Sequence, residues 1–345
     1  MQMLDDQNYI KQYDANDALG FAAKQPEQLK HTFGLTQAPI GEGIANVVFA
    51  GMGGSSLAAE FIRTWPELKV PFVIVKDYNL PAFVDEHTFV ICASYSGNTE
   101  ETISTLDQAE QKTKHLAVMT HGGKLLERAK AAGYVTAEIP ECTQPRTAVF
   151  YMYRATIELL VAAKLVPDSM IANVEQLAEP LEAAKASWLA SVPTEQNLAK
   201  QLAEKMVGKT PIMYAGPLMY PAAYKWKINV NESSKNTAWC DIFPEFNHNE
   251  FIGWSGHPVE KPFAVIDLLS SFEHPRTLRR FEVTDRLLSG MRPKAITVQA
   301  EGKTVIEQLL YLVLLSDFVT DYLGILNGVN PTPVELVERF KKELA

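Results

Sequence analysis

The stretch FVICASYSGNTEET, residues 89–102, runs a short apolar strand directly into Ser94, Ser96, Gly97 and Thr99 and then into an acidic helix start. Hydroxyls at Ser94, Ser96 and Thr99 can each donate to a phosphate oxygen, Gly97 allows close backbone approach, and the first N–H groups of the following helix point at an anion. The loop predicts a phosphorylated ligand. The competing reading is an ordinary strand-to-helix turn, with Thr99 as N-cap and Glu100 and Glu101 complementing the helix dipole. A second loop of the same kind weakens it: GMGGSS, residues 51–56, follows the apolar run 47–50 and sets Gly53, Gly54 and Ser55 between strand and helix. A dinucleotide fingerprint would need G-x-G-x-x-G with an acidic residue about 20 residues on. Asp77 lies near that offset, but Ser56 stands where the third glycine is required, so paired serine-rich loops fit a sugar phosphate better.

Three further residues have chemical potential. Arg146, after Pro145, offers a fixed positive charge near the strand ends where open α/β sheets gather ligands. The alternative is a surface arginine at a helix N-terminus, where the dipole disfavours a cation. Glu232 closes the helical stretch YKWKINVN between Asn231 and Ser233, whose side chains could hold its carboxylate; a solvated helix-end glutamate is the plainer reading. His248 lies between Asn247 and Asn249 behind Pro244, a setting for an oriented imidazole rather than a packed core residue. His121, His257 and His274 are scattered without metal-ligand spacing, so no metal site is predicted.

These residues need a scaffold. Apolar runs at 47–50, 72–76, 89–93, 116–119 and 134–139 alternate with helical stretches, which predicts a parallel sheet covered on both faces. Residues 148–208 turn helical, broken by Pro167, Pro180 and Pro193, and read as a linker of helices. Strands at 211–215, 263–268 and 295–298 resume the alternation, and 305–326 is helical in period. The first strand of this second unit ends in Ala215, Gly216 and Pro217 without a serine cluster, so no second phosphate is expected. The expected domains are residues 1–150, carrying the phosphate loops, and 151–345, the helical linker and second α/β unit.

A chain of 345 residues with 47% hydrophobic and 21% charged content can bury a large core. A formal charge of −9 argues against a nucleic-acid surface, and no run of lysine and arginine interleaved with aromatics contradicts that. Cys92, Cys142 and Cys240 are odd in number and widely spaced, as expected in a reducing cytoplasm. The N-terminus shows no targeting pattern, and no apolar run is read as reaching the roughly 18 residues of a membrane span.

Taken in order, GMGGSS, SYSGNTEE, PRTA (145–148), NESSKN (231–236) and PEFNHNEFIGW (244–254) resemble the bifunctional phosphoglucose/phosphomannose isomerase family. The resemblance implies two SIS (sugar isomerase) domains, each a flavodoxin- or Rossmann-like parallel sheet with flanking helices. It implies interconversion of glucose 6-phosphate, mannose 6-phosphate or both with fructose 6-phosphate, with no metal and no cofactor. Such chemistry needs a phosphate anchor, ring-opening groups, a base that moves a proton between adjacent carbons, and a cation near the enediolate. By resemblance, Glu232 is the proton-transfer base, Arg146 the enediolate cation, and His248 a ring-opening group supplied across a homodimer interface. Lys341, or its neighbour Lys342, matches a ring-opening lysine in the terminal helix. Ser233 departs from the family, which has asparagine after the catalytic glutamate. Two alternatives remain: isomerisation of another sugar or amino-sugar phosphate, and a non-catalytic sugar-phosphate sensor. Binding alone would not need Glu232.

Overall fold

Strands β1 (Asn46–Gly51), β2 (Phe72–Val75), β3 (Thr88–Ala93), β4 (Leu116–Thr120) and β5 (Val135–Glu138) form one parallel sheet in the order β2-β1-β3-β4-β5. Strands β6 (Thr210–Ala215), β7 (Trp239–Ile242), β8 (Phe263–Leu269) and β9 (Ile296–Gln299) form a second, in the order β7-β6-β8-β9. These come from a computed structural model that describes residues 3–35, 40–256 and 262–344, so His257 lies outside the described residues. Both sheets are parallel and helix-covered, as the alternating pattern predicts.

The physical reason is visible in the central strands. Every residue of β3, and all of β1 except Asn46, is buried. Strands covered on both faces read as continuous apolar runs rather than as alternation. In the first sheet the connections leave β1 in one direction and β3 in the other, and the loops after these two strands open at the switch point where ligands collect. Both serine loops follow those strands.

Contacts divide the chain into two compact units. One is Lys24–Glu179, which contains the first sheet; the other joins Met1–Ala23 to Pro180–Ala345 and contains the second. The helical stretch 148–208 is therefore shared. Helix Val149–Ala162 is buried along nearly its whole length and packs on helix Leu57–Ile62 in the first unit. Helix Leu198–Met206 packs instead on the long helix Val305–Leu326 of the second unit.

That long helix corrects one sequence expectation. Its 22 residues are long and apolar enough to cross a membrane by length and composition, yet 94% of the most apolar window is buried inside the protein. It carries Ser316, Asp317, Thr320 and Asp321, all buried, and Asp317 pairs with Lys225 of helix Tyr220–Glu232. A core helix passes the same length test as a membrane span.

Candidate active site

In the first unit, the serine loop is shaped by its glycine. Gly97 has φ of 69°, and a Cβ there would meet the Gly122 carbonyl oxygen at 1.7 Å. Only glycine lets the loop lie against the turn after β4. The contact is fastened by Leu125 N donating to Gly97 O at 3.0 Å and Lys124 N to Asn98 Oδ1 at 3.1 Å. Ser94 is buried, and its Oγ accepts from Gly97 N at 3.1 Å. Ser94 Oγ lies 2.8 Å from Thr99 Oγ1 and 3.5 Å from Ser96 Oγ, so the three hydroxyls converge ahead of helix Glu100–Ala109. Thr99 occupies the N-cap position with Glu100 and Glu101 in the first turn, but its side chain makes no capping bond to that helix and turns to Ser94 instead.

The second loop docks on the first. Ser55, buried in the 3-10 turn Gly53–Ser56, accepts from Tyr95 N at 3.0 Å. A Cβ on Gly54 would meet Arg146 N at 2.9 Å and the Pro145 carbonyl carbon at 3.1 Å, so the absent side chain is what seats the turn Pro145–Thr147. Arg146 is 3% exposed, which overturns the surface-arginine alternative. Within this unit, Gly53, Gly54, Ser55, Ser94, Ser96, Thr99 and Arg146 thus belong to one interlocked set of turns. Tyr95, which sequence reasoning passed over, ties the set together: its hydroxyl donates to Cys142 O at 2.9 Å and accepts from Cys142 N. Burial pushes its phenol up to about 12, so it remains protonated and able to donate.

Glu232, His248 and Lys341 belong to the other unit. Glu232 is the last residue of helix Tyr220–Glu232, which is mostly buried. The residues after it are fixed to the long helix: Ser234 Oγ donates to Thr320 O at 2.8 Å, and Asn327 Nδ2 donates to Ser234 O at 3.0 Å. A Cβ on Gly324 would meet Ser233 O at 2.6 Å. Backbone packing of this kind holds Glu232 at the helix end. Asn231, expected to steady the carboxylate, instead donates to Asn236 O at 2.9 Å.

His248 ends the 3-10 turn Glu245–His248 and is exposed. Lys341 is exposed on the terminal helix Glu335–Leu344, where it pairs with Glu338 at 3.0 Å. Among the described residues no three His, Cys, Asp or Glu side chains gather as metal ligands do.

The loop after β6 shows why the second unit lacks a serine cradle. Gly216 leaves room for the buried Glu273 carboxylate, which a Cβ would meet at 2.5 Å from Oε1. Glu273 Oε1 accepts from Leu218 N at 2.9 Å and Met219 N at 3.2 Å, just ahead of helix Tyr220–Glu232. Burial pushes this carboxyl up, and the two N–H bonds pull it back. The anion at this helix start is the chain's own.

Residues 195–344 match the family described as the bacterial phospho-glucose isomerase C-terminal SIS domain. A bifunctional phosphoglucose/phosphomannose isomerase of Aquifex aeolicus (strain VF5) is 36% identical over 301 residues, covering 86% of this chain and 90% of that protein. The chain belongs to the bifunctional phosphoglucose/phosphomannose isomerase family. Another member of the family, from Caldicellulosiruptor bescii, is 34% identical over 308 residues, covering 88% of this chain and 91% of its own. In fold, this member of the phosphoglucose/phosphomannose isomerase family is similar to tagatose-6-phosphate ketose/aldose isomerase from Escherichia coli. The TM-score is 0.68 at 17% identity, over 93% of this chain and 96% of that one.

Proposed function

We propose that this protein is a metal-independent aldose–ketose isomerase that interconverts glucose 6-phosphate, mannose 6-phosphate or both with fructose 6-phosphate through an enediolate. The observation that carries the reading is the interlocking of the Gly53–Ser56 turn with both the hydroxyl-bearing serine loop, through Ser55 and Tyr95, and the turn of the buried Arg146, through Gly54.

Under this reading, Ser55, Ser94, Ser96 and Thr99 hold the sugar phosphate, with Gly53 and Gly54 giving backbone access. His248 and Lys341 move protons between ring oxygens and O1 as the pyranose opens. The Glu232 carboxylate then removes the proton on C2 of the aldose. The electron pair forms the C1–C2 double bond as the C1 carbonyl pair moves onto O1, the O2 hydroxyl proton passes to O1, and Glu232 returns its proton to C1 as the C2 oxygen becomes a carbonyl. Arg146 offsets the negative charge that develops on the enediolate oxygens. His248 comes from the second subunit of a homodimer, which accords with its exposure in the single chain. Cys92, Cys142 and Cys240 are free thiols, which supports a cytoplasmic site of action.

The test is the product distribution from fructose 6-phosphate with excess chelator present. Glucose 6-phosphate, mannose 6-phosphate or both should form. Absence of turnover would overturn the reading. Turnover confined to another phosphosugar in a panel would shift it to that substrate, and retained ligand binding with a silent Glu232→Gln phenotype would favour a sensor.

A further inference from the structure

His248 sits on a short and weakly self-supporting segment. The 3-10 turn Glu245–His248 is four residues long, and Asn249 follows with φ −141° and ψ −68°, outside helix and strand geometry. Short 3-10 turns have poor hydrogen-bond geometry of their own. Something beyond the local backbone must therefore fix the imidazole.

The structure supplies two clamps, one on each side. Before His248, Asn247 Nδ2 donates to Thr284 Oγ1 at 2.9 Å, and its Oδ1 accepts from Arg280 Nη1 at 3.2 Å, tying the turn to helix Pro275–Leu287. After His248, the Glu250 carboxylate accepts from the hydroxyl of Tyr214, a buried residue of β6. Tyr214 is registered beside Asp241 on the neighbouring β7, and burial together with the nearby Asp241 pushes the Glu250 carboxyl up. The ring of Tyr214 packs on Phe243 at 6.0 Å and on Phe246, itself in the His248 turn, at 4.8 Å between ring centroids, with Arg292 Cζ 5.8 Å from the ring centroid. The buried Phe246 thus fixes the turn from within, and the Tyr214 hydroxyl adds a polar hold through Glu250 on its far side.

We propose that Tyr214 and Glu250 are positioning residues that set the imidazole of His248 through their shared hydrogen bond, with Asn247 as the opposing clamp. The inference rests on the reading of His248 as a ring-opening group. A buried tyrosine hydroxyl is costly unless satisfied, and here the carboxylate that satisfies it stands two residues beyond His248.

Tyr214→Phe is the cleanest probe, because it keeps the ring and removes the hydroxyl. With fructose 6-phosphate as substrate, kcat should fall about 10-fold, with KM changing less than about 3-fold. In a His248→Gln background the same change should have little further effect, since residues acting as a unit are non-additive. An equal loss in both backgrounds, or none in either, overturns the proposal. Glu250→Gln should follow Tyr214→Phe in the same cycle. If His248→Gln itself leaves turnover intact, the functional reading of His248 fails. The positioning claim is then decided by the ¹⁵N-imidazole signals of labelled protein: a shifted or broadened His248 signal in Tyr214→Phe upholds it, and an unchanged one overturns it.

Discussion

The hydroxyl oxygens of Ser94 and Thr99 lie 2.8 Å apart across a loop whose helix Thr99 does not cap. A threonine released from capping is available to a ligand, and the exposed Ser96 stands 3.5 Å from the same Ser94 oxygen. Under the proposed mechanism, anchor and base separate kinetically. Ser96→Ala should raise KM about 10-fold, the worth of one hydrogen bond to a charged group, with kcat little changed. Glu232→Gln should instead lower kcat by a factor on the order of 10² to 10⁴. Steady-state kinetics with fructose 6-phosphate decides this, and the reverse pattern would show that the two roles have been exchanged.

Gly97 offers a structural test of the cradle. Its positive φ costs a non-glycine residue about 1–2 kcal/mol, and the collision with Gly122 O forces the loop off the turn after β4. Gly97→Ala should therefore lower the melting temperature and weaken phosphosugar binding together. Binding measured by calorimetry at wild-type strength would refute the role given to this loop geometry.

The helix that ends in Glu232 is braced from within. Lys225 and Asp317 form a buried ion pair, and Asn229 donates to both Asp317 Oδ1 at 2.8 Å and Ser316 Oγ at 3.0 Å. Lys225→Met leaves a buried carboxylate without its cation and should destabilise the protein by about 3–5 kcal/mol. Adding Asp317→Leu should recover much of that loss. Urea midpoints for the single and double variants report the difference, and an additive double variant would contradict the pairing.

A buried carboxyl makes stability depend on pH. Asp267 on β8 is 4% exposed, and desolvation pushes it up to about 7, with Arg292 pulling it down and Asp285 pushing it up. Its folded-state value lies above the unfolded one, so folding favours the protonated form. That contribution is complete below about pH 4 and is lost as pH rises towards 7. Asp267→Asn should remove this slope, gaining on the order of 4 kcal/mol relative to the parent between pH 4 and pH 7.5. Parallel urea curves for the two proteins across that range would argue against it.

The sheets were readable because buried parallel strands are continuous apolar runs bounded by glycine and serine. Strand β7 was missed: Trp239 is 54% exposed, Asp241 is polar, and the four residues are a strand only because β6 pairs with them. The serine loop and Gly97 announced themselves through residue type. The burial of Arg146 did not, since it depends on Gly54, which is 92 residues earlier in the chain but in contact across the loops. The capture of Glu273 by the Gly216 loop was invisible for the same reason. Local sequence carries propensity and spacing, and both of these contacts are made across the fold.

Glu273 also changes how the two halves of the chain respond to solution. A carboxylate held by the chain's own backbone N–H groups is a tethered anion that already fills the donors a dissolved phosphate would use. Free anions therefore have nothing to gain by competing at the start of helix Tyr220–Glu232. Under the proposed mechanism the phosphate of the sugar is therefore held at the serine loop and not at this helix start, and the second unit meets the substrate through Glu232, His248 and Lys341 instead.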